Sequence, residues 1–186
     1  ELEAEGMTFT TSGDTEVLAA AVDRWGTADA CRKFEGMWAF SAETRDGTFL
    51  ARDRYGKVPL YYHARDGEVV WASERKAARL PFGAFPAGRV ARLSPDGLEL
   101  EAYYDLPYAA PHDPGALADL LRSSVGARLD ADAEVCCLVS GGLDSGLALA
   151  AAVERKPDLV AFTAYSDPAS PDLAAARELC AEFGTR

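Results

Sequence analysis

The sequence predicts two folds in tandem, an α+β part built on antiparallel strands and then an α/β part built on parallel ones. Three observations carry this. Between Gly36 and Tyr103, β-prone runs are separated by Arg45-Asp46-Gly47, Arg65-Asp66-Gly67 and Pro95-Asp96-Gly97, the turn chemistry of hairpins. From Glu134 to Ala151 an apolar run meets a double-glycine turn and then a run of good helix formers, and a second strand and helix follow. That order implies right-handed crossovers and a parallel sheet. Between the two parts, Leu106 to Pro114 holds three prolines (Pro107, Pro111, Pro114). Such a stretch reads as a linker, which places the parts at 1–106 and 115–186 with 107–114 between them.

In chain order, Glu1 to Gly6 reads as the last turn of a helix closed by glycine, so the chain is expected to be an internal piece of a longer one. Met7 to Thr10 is a short β-prone segment. A helix then starts with Asp14 or Thr15 as its cap and acids in its first turn. Leu18, Ala21, Val22 and Trp25 form its apolar stripe, and Gly26 ends it. A second short helix is expected from Ala28 to Phe34. Strands are expected at Met37–Ser41, Thr48–Arg52, Pro59–His63 and Glu68–Ala72, then a short helix from Ser73. Gly88–Leu93 and Leu98–Tyr103 complete a last hairpin.

The second part opens with a helix from about Pro114 to Leu129, its apolar residues being Leu117, Leu120, Leu121 and Val125. The run Val135–Val139 is apolar without alternation, the pattern of a parallel strand covered on both faces. Cys136 and Cys137 are then small core residues. Leu159–Ala164 is a second buried strand, and Pro171–Phe183 a helix capped by Ser170.

The turn Ser140-Gly141-Gly142-Leu143-Asp144-Ser145 holds the chemistry. Two glycines permit positive φ and a close backbone approach to a ligand. The following helix points its free N–H groups and positive dipole end out of the turn, and two serines add hydroxyls, which makes a seat for phosphate. Neither a P-loop lysine motif nor G-x-G-x-x-G is present, and Leu138 rules out a nucleophile elbow. Asp144 would repel a bare phosphate but is accommodated if Mg²⁺ bridges it to the phosphates. The bland alternative is a glycine-rich turn with a capping acid.

The net charge of −11 argues against nucleic acid as the main partner. No apolar run is long enough to span a membrane, and no signal peptide opens the chain. The four cysteines, Cys31, Cys136, Cys137 and Cys180, show no metal-binding spacing, which suits a reduced, cytoplasmic setting.

The turn resembles the pyrophosphate loop of ATP pyrophosphatases. Together with Thr10–Thr15 (TTSGDT), Leu50–Tyr62 (LARDRYGKVPLYY), Ala72–Ala78 (ASERKAA), Tyr103-Tyr104 and Ser170–Leu173 (SPDL), it stands in the order found in glutamine-dependent asparagine synthetases of the B type. The resemblance spans nearly the whole chain. It implies a partial N-terminal-nucleophile hydrolase-like αββα sandwich, the C-terminal part of a glutaminase domain. It further implies a partial ATP-pyrophosphatase-like α/β domain, the N-terminal part of a synthetase. The implied activity is that of a carbon–nitrogen ligase. Ammonia from glutamine attacks an adenylated aspartate-type carboxylate, with ATP and Mg²⁺ required. The implied partners are small molecules (glutamine, aspartate or another carboxylate, ATP) without nucleic acid or membrane, and a homodimer is allowed.

Residue by residue, the resemblance gives Asp14 the α-amino group of glutamine, where the bland role is an N-cap. It gives Leu138 a backbone contact to adenine and gives Ser140, Gly141, Gly142, Leu143 and Ser145 the pyrophosphate. Asp144 becomes the Mg²⁺-associated catalytic acid. Ala164, or Thr163 if the register moves by one, lines the adenine pocket, with a strand-end core role as the alternative. The family's nucleophile is a first-residue cysteine, whereas position 1 here is Glu, and none of the four cysteines lies at a matching place. This stretch alone is therefore expected neither to hydrolyse glutamine nor to complete an amide. Two alternatives stand beside the ligase. One is a glutaminase-dead relative that closes β-lactam or lasso-peptide rings, and the other is a non-catalytic nucleotide-binding fragment.

Overall fold

The structure is a computed structural model that describes residues 1–107 and 113–185. Most of the stretch expected as a linker at 107–114 lies outside the described residues. The chain divides into two compact units, Glu1–Tyr108 and Ala109–Arg186.

Unit 1 is built in three layers. Helices α1 (Asp14–Trp25) and α2 (Thr27–Lys33) form the first. The second is an antiparallel sheet of β1 (Ala39–Thr44), β2 (Gly47–Arg52), β6 (Arg89–Ser94) and β7 (Gly97–Ala102), paired in that order. The third sheet is ordered β4 (Glu68–Ala72), β3 (Tyr61–Arg65), β5 (Gly83–Ala84). Alternation along β2 sorts its side chains between the layers. Ala51, paired with Val90, packs with Cys31 of α2, while Leu50, paired with Ala91, packs with Leu60 and Phe85 at the other sheet. A one-residue slip would exchange the two sets, so the register is fixed by burial on both faces.

Several expected elements differ from the structure. Met7–Thr10 forms no strand, because the Thr10 N–H is committed to the Glu16 carboxylate. Helix α1 is capped by Gly13, and neither Asp14 nor Thr15 caps it. β3 begins at Tyr61, two residues later than expected. The Val58 N–H is taken by Asp53 and Pro59 has none to give, so the ladder cannot start earlier. β5, a two-residue strand, has too short a pattern to be foreseen.

Asp53 organises the turn after β2. Its carboxylate is fully buried and accepts backbone N–H bonds from Tyr55, Lys57 and Val58, each at 3.0 Å, and from Trp38 at 3.4 Å. Burial pushes its carboxyl up, but the four donors together outweigh burial and hold it below the ordinary aspartate value. Arg52 completes the turn from the side, donating to the carbonyls of Val58 (2.8 Å), Phe85 (2.6 Å) and Gly56 (2.6 Å).

Unit 2 contains α3 (Pro114–Ala127), β8 (Cys136–Leu138), α4 (Leu143–Val153), β9 (Val160–Phe162) and α5 (Pro171–Phe183). β8 and β9 pair in parallel. Asp113 caps α3 through the Gly115 N–H. Val125, Leu149, Ala152, Ala176 and Leu179 of the three helices pack against one face of the strands, through Cys137 and Ala161. The other face is bare among the described residues, so the expectation of strands buried on both sides fails. Cys136, Leu138 and Phe162 are exposed, and Cys136 is not a core residue. Leu117 and Leu120 of α3 are exposed as well. No described helix is long and apolar enough to cross a membrane.

Asp53→Ala is expected to lower the stability of unit 1 by about 3 kcal/mol, since four part-buried N–H bonds lose their acceptor. All three tryptophans lie in unit 1, so denaturant unfolding followed by tryptophan fluorescence reads it. The folded pKa of Asp53 is depressed, so its contribution is complete above the ordinary value of 3.8 and fades as pH falls through the folded one.

Candidate functional site

The first candidate site lies at the carboxyl edge of the parallel pair. Leu138 pairs with Phe162, the Val139 N–H donates to the Phe162 carbonyl at 2.8 Å, and the Thr163 hydroxyl donates to the Val139 carbonyl at 2.8 Å. Thr163 thus ties the two strand ends together. Ala164 is exposed, and Leu138 and Phe162 lie on the bare face, 76% and 55% exposed.

The chain then bends through Ser140 to Ser145 into α4. Gly141 has φ +78°, and a Cβ there would meet the Asp172 carbonyl at 2.7 Å, the Ala175 Cβ at 2.8 Å and the Ala176 nitrogen at 2.9 Å. Only glycine fits, because the bend rests directly on the first turns of α5. Gly142 is the N-cap of α4. The Ser145 hydroxyl donates to the Gly142 carbonyl (3.0 Å) and accepts from the Ser140 N–H (3.2 Å). Its one hydrogen being used, Ser140 is the donor in the 3.1 Å contact between the two hydroxyls. Both serines are therefore spent on the bend itself, and the expected hydroxyl donors are not directed outward. The N–H groups of Gly141 through Ser145 find no acceptor among the described residues. Five consecutive free donors at a helix start form an anion seat. Gly141 also lines a cleft of about 390 Å³ with Leu147, Ala175, Leu179 and two acids, Glu178 and Glu182.

Asp144 is the second residue of α4. It is exposed, and among the described residues no hydrogen bond or ion pair engages it. A carboxylate that is held by nothing and stands next to free amide donors is a ready oxygen ligand for a hard cation. No group of three or more metal-ligating side chains occurs among the described residues, so such a cation would need oxygens from the bound anion.

The second candidate site belongs to unit 1. Asp14 is the first residue of α1 and lines a cleft of about 260 Å³ with Leu18, Phe34, Glu35, Met37 and Trp38. Two carboxylates against aromatic walls suit a small molecule that carries an ammonium. Nothing in the sequence singled out Glu35; folding alone brings it beside a residue 21 positions earlier. Cys31 is buried beneath the sheet, and burial pushes its thiol up to about 12, which makes it inert as a nucleophile. The Cys137 thiol is likewise raised by burial.

The chain matches the family described as Glutamine amidotransferase domain over residues 1–104 and the family described as Asparagine synthase over residues 116–186. It is similar to glutamine-hydrolysing asparagine synthetase 2 of Arabidopsis thaliana, 34% identical over 96% of this chain and 34% of that one. It is also similar to asparagine synthetase B of Escherichia coli, 32% identical over 95% and 36%. For glutamine-hydrolysing asparagine synthetase 1 of Bacillus subtilis the figures are 28%, 99% and 35%. The chain spans about a third of the length of these relatives. Among solved structures, the B. subtilis glutamine phosphoribosylpyrophosphate amidotransferase superposes with a TM-score of 0.49 at 20% identity, over 93% of this chain and 46% of that one. A likeness that loose carries no argument.

Gly141→Ala is expected to destabilise unit 2 by about 2 kcal/mol, from the left-handed backbone and the clash with α5 together. Hydrogen exchange of the α4 and α5 amides checks it; unchanged protection would show that the bend and α5 are not locked together.

Proposed function

Because the chain belongs to the glutamine-dependent asparagine synthetase family, we propose that it is part of an ATP-dependent, AMP-forming ligase that makes an amide with ammonia taken from glutamine. The observation that carries this is the bend at 140–145, where five free N–H donors and one unengaged carboxylate stand at the carboxyl edge of two parallel strands. That position is where α/β sheets bind ligands. Unit 2 on this reading is the start of an ATP-pyrophosphatase-like domain. Unit 1 is the later part of an N-terminal-nucleophile glutaminase.

The roles follow from charge. Adenylation of an aspartate-type carboxylate leaves pyrophosphate, and the amides of Gly141, Gly142, Leu143, Asp144 and Ser145 stabilise that leaving group as its charge develops. Because these donors are fixed by the Gly141 contact with α5, they need no reorganisation during the reaction. The hydroxyls of Ser140 and Ser145 act one step back, by holding the bend's shape. Asp144 fits a magnesium ion, since one free carboxylate together with phosphate oxygens is a donor set that magnesium takes. When bound, magnesium supplies neutralisation of phosphate charge. Adenine is assigned to the bare edge at Leu138 and Ala164, with Thr163 holding the strand ends. Asp14 pairs with the α-ammonium of glutamine, and Glu35 adds a second negative charge to the same cleft. This cleft supports glutamine as nitrogen donor over the ring-closing relatives, which have no use for it.

In the full-length protein, Asp144→Ala is expected to reduce ATP–pyrophosphate exchange by about 100-fold or more while glutaminase activity stays near normal. Retained exchange would remove Asp144 from the catalytic set. Asp14→Ala is expected to raise the KM for glutamine by about 10-fold or more, with free ammonia still accepted as donor. Unchanged glutamine kinetics would leave Asp14 no part in substrate binding.

A further inference from the structure

We propose that Glu16 is a positioning residue for the glutamine site, clamping the preceding turn so that Asp14 is presented in one fixed orientation. The inference rests on the assignment of Asp14 to glutamine above and adds the residue through which that assignment works.

Glu16 is the third residue of α1. A glutamate there ordinarily reaches back to the N-cap amide. Here it reaches further. Oε1 accepts from the Thr10 N–H (3.0 Å) and the Thr10 hydroxyl (2.9 Å). Oε2 accepts from the Thr11 N–H (2.8 Å) and the Thr11 hydroxyl (2.6 Å), with the Thr10 N–H also at 3.2 Å. One carboxylate thus gathers four donors and closes a ring over Ser12, Gly13 and Asp14. The Thr11 hydroxyl also accepts from the Gly13 N–H at 3.3 Å. The bonds therefore run from Glu16 through Thr11 to Gly13, the residue immediately before Asp14.

Residues 10 to 15 are all exposed, so the ring completes no core. What it fixes is the course of the turn that leads into α1, since the Asp14 side chain itself makes no hydrogen bond among the described residues. The hydrogen bonds, that of the Thr11 hydroxyl foremost, hold the Glu16 carboxyl at about 2. A folded pKa below the ordinary 4.5 means that the clamp is complete above 4.5 and opens only as pH falls through about 2. It is intact at every pH at which the enzyme would be assayed.

The test uses the full-length protein with Glu16→Ala, Glu16→Gln and Asp14→Ala in parallel. Glu16→Ala is expected to raise the glutamine KM by about 10-fold, to change kcat at saturating glutamine by less than about 2-fold, and to leave ammonia-driven amide formation at the wild-type rate. Glu16→Gln, which keeps one acceptor oxygen, recovers part of the KM. Hydrogen exchange at pH 5 should show the Thr10 and Thr11 amides protected in the wild type and unprotected in Glu16→Ala. A glutamine KM that moves with Asp14→Ala but not with Glu16→Ala overturns the clamp and leaves the glutamine site standing. A KM that moves with neither overturns both. Equal losses with glutamine and ammonia would mark Glu16 as a folding residue and overturn the clamp.

Discussion

Unit 2 depends on one close approach, that of the Gly141 backbone to the first turns of α5. A Cβ at Gly141 would lie within 3 Å of the Asp172 carbonyl, the Ala175 Cβ and the Ala176 nitrogen. Glycine's missing side chain lets three elements meet at a point, namely the end of β8, the start of α4 and the start of α5. Once they meet, the direction of the free amides is settled. The serine hydroxyls then close the bend from within. A bend made in this way is rigid, because close backbone packing and the two serine hydroxyls fix its shape together.

Unit 1 solves a different problem with a charged pair. The segment from Arg54 to Pro59 has no regular structure, yet it joins strands of two different sheets. Its amides and carbonyls would be costly to leave unpaired so close to the core. Asp53 takes the amides and Arg52 the carbonyls. Adjacent residues of opposite charge at the end of one strand thus satisfy both polarities of the same turn. Arg52 also reaches the Phe85 carbonyl, which lies next to the core between the sheets. Two side chains at one strand end thus hold the turn that passes between the two sheets.

Much of this was legible in the sequence, and the misses share a cause. The hairpin turns at 45–47, 65–67 and 95–97, the helices of unit 2 and the Ser140–Ser145 bend all carry local signals, and local signals survive folding. The starts of β1 and β3 were misplaced because Asp53 captures the amides that would otherwise have begun a ladder. Neither Asp14 nor Thr15 caps α1, whose N-cap Gly13 has no side-chain cap bond, because the turn before the helix is held instead by Glu16, five and six residues from its partners. Burial of β8 and β9 was overstated for another reason. An apolar run says that both faces want cover, whereas the described residues supply it on one face only. Glu35 left no mark at all, since its meaning comes only from Asp14 being across the cleft.

Asp14 and Asp144 show the same logic at two sites. Each stands in the first turn of a helix, where an aspartate ordinarily serves as cap or as partner to the helix dipole. In both helices the cap is a glycine, Gly13 for α1 and Gly142 for α4. In both, a neighbouring side chain does the binding that holds the turn: Glu16 in one, Ser145 in the other. The aspartates are thereby released from structural duty and left exposed. What remains to them as structure is the weak attraction of an exposed carboxylate to a helix end, worth about 0.3–1 kcal/mol. A charged group that is held in place by others, and that the fold hardly needs, is free to spend its charge on a ligand. The surroundings of the two aspartates differ: Asp14 shares its cleft with a second acid, Glu35, whereas Asp144 stands alone among free backbone amides.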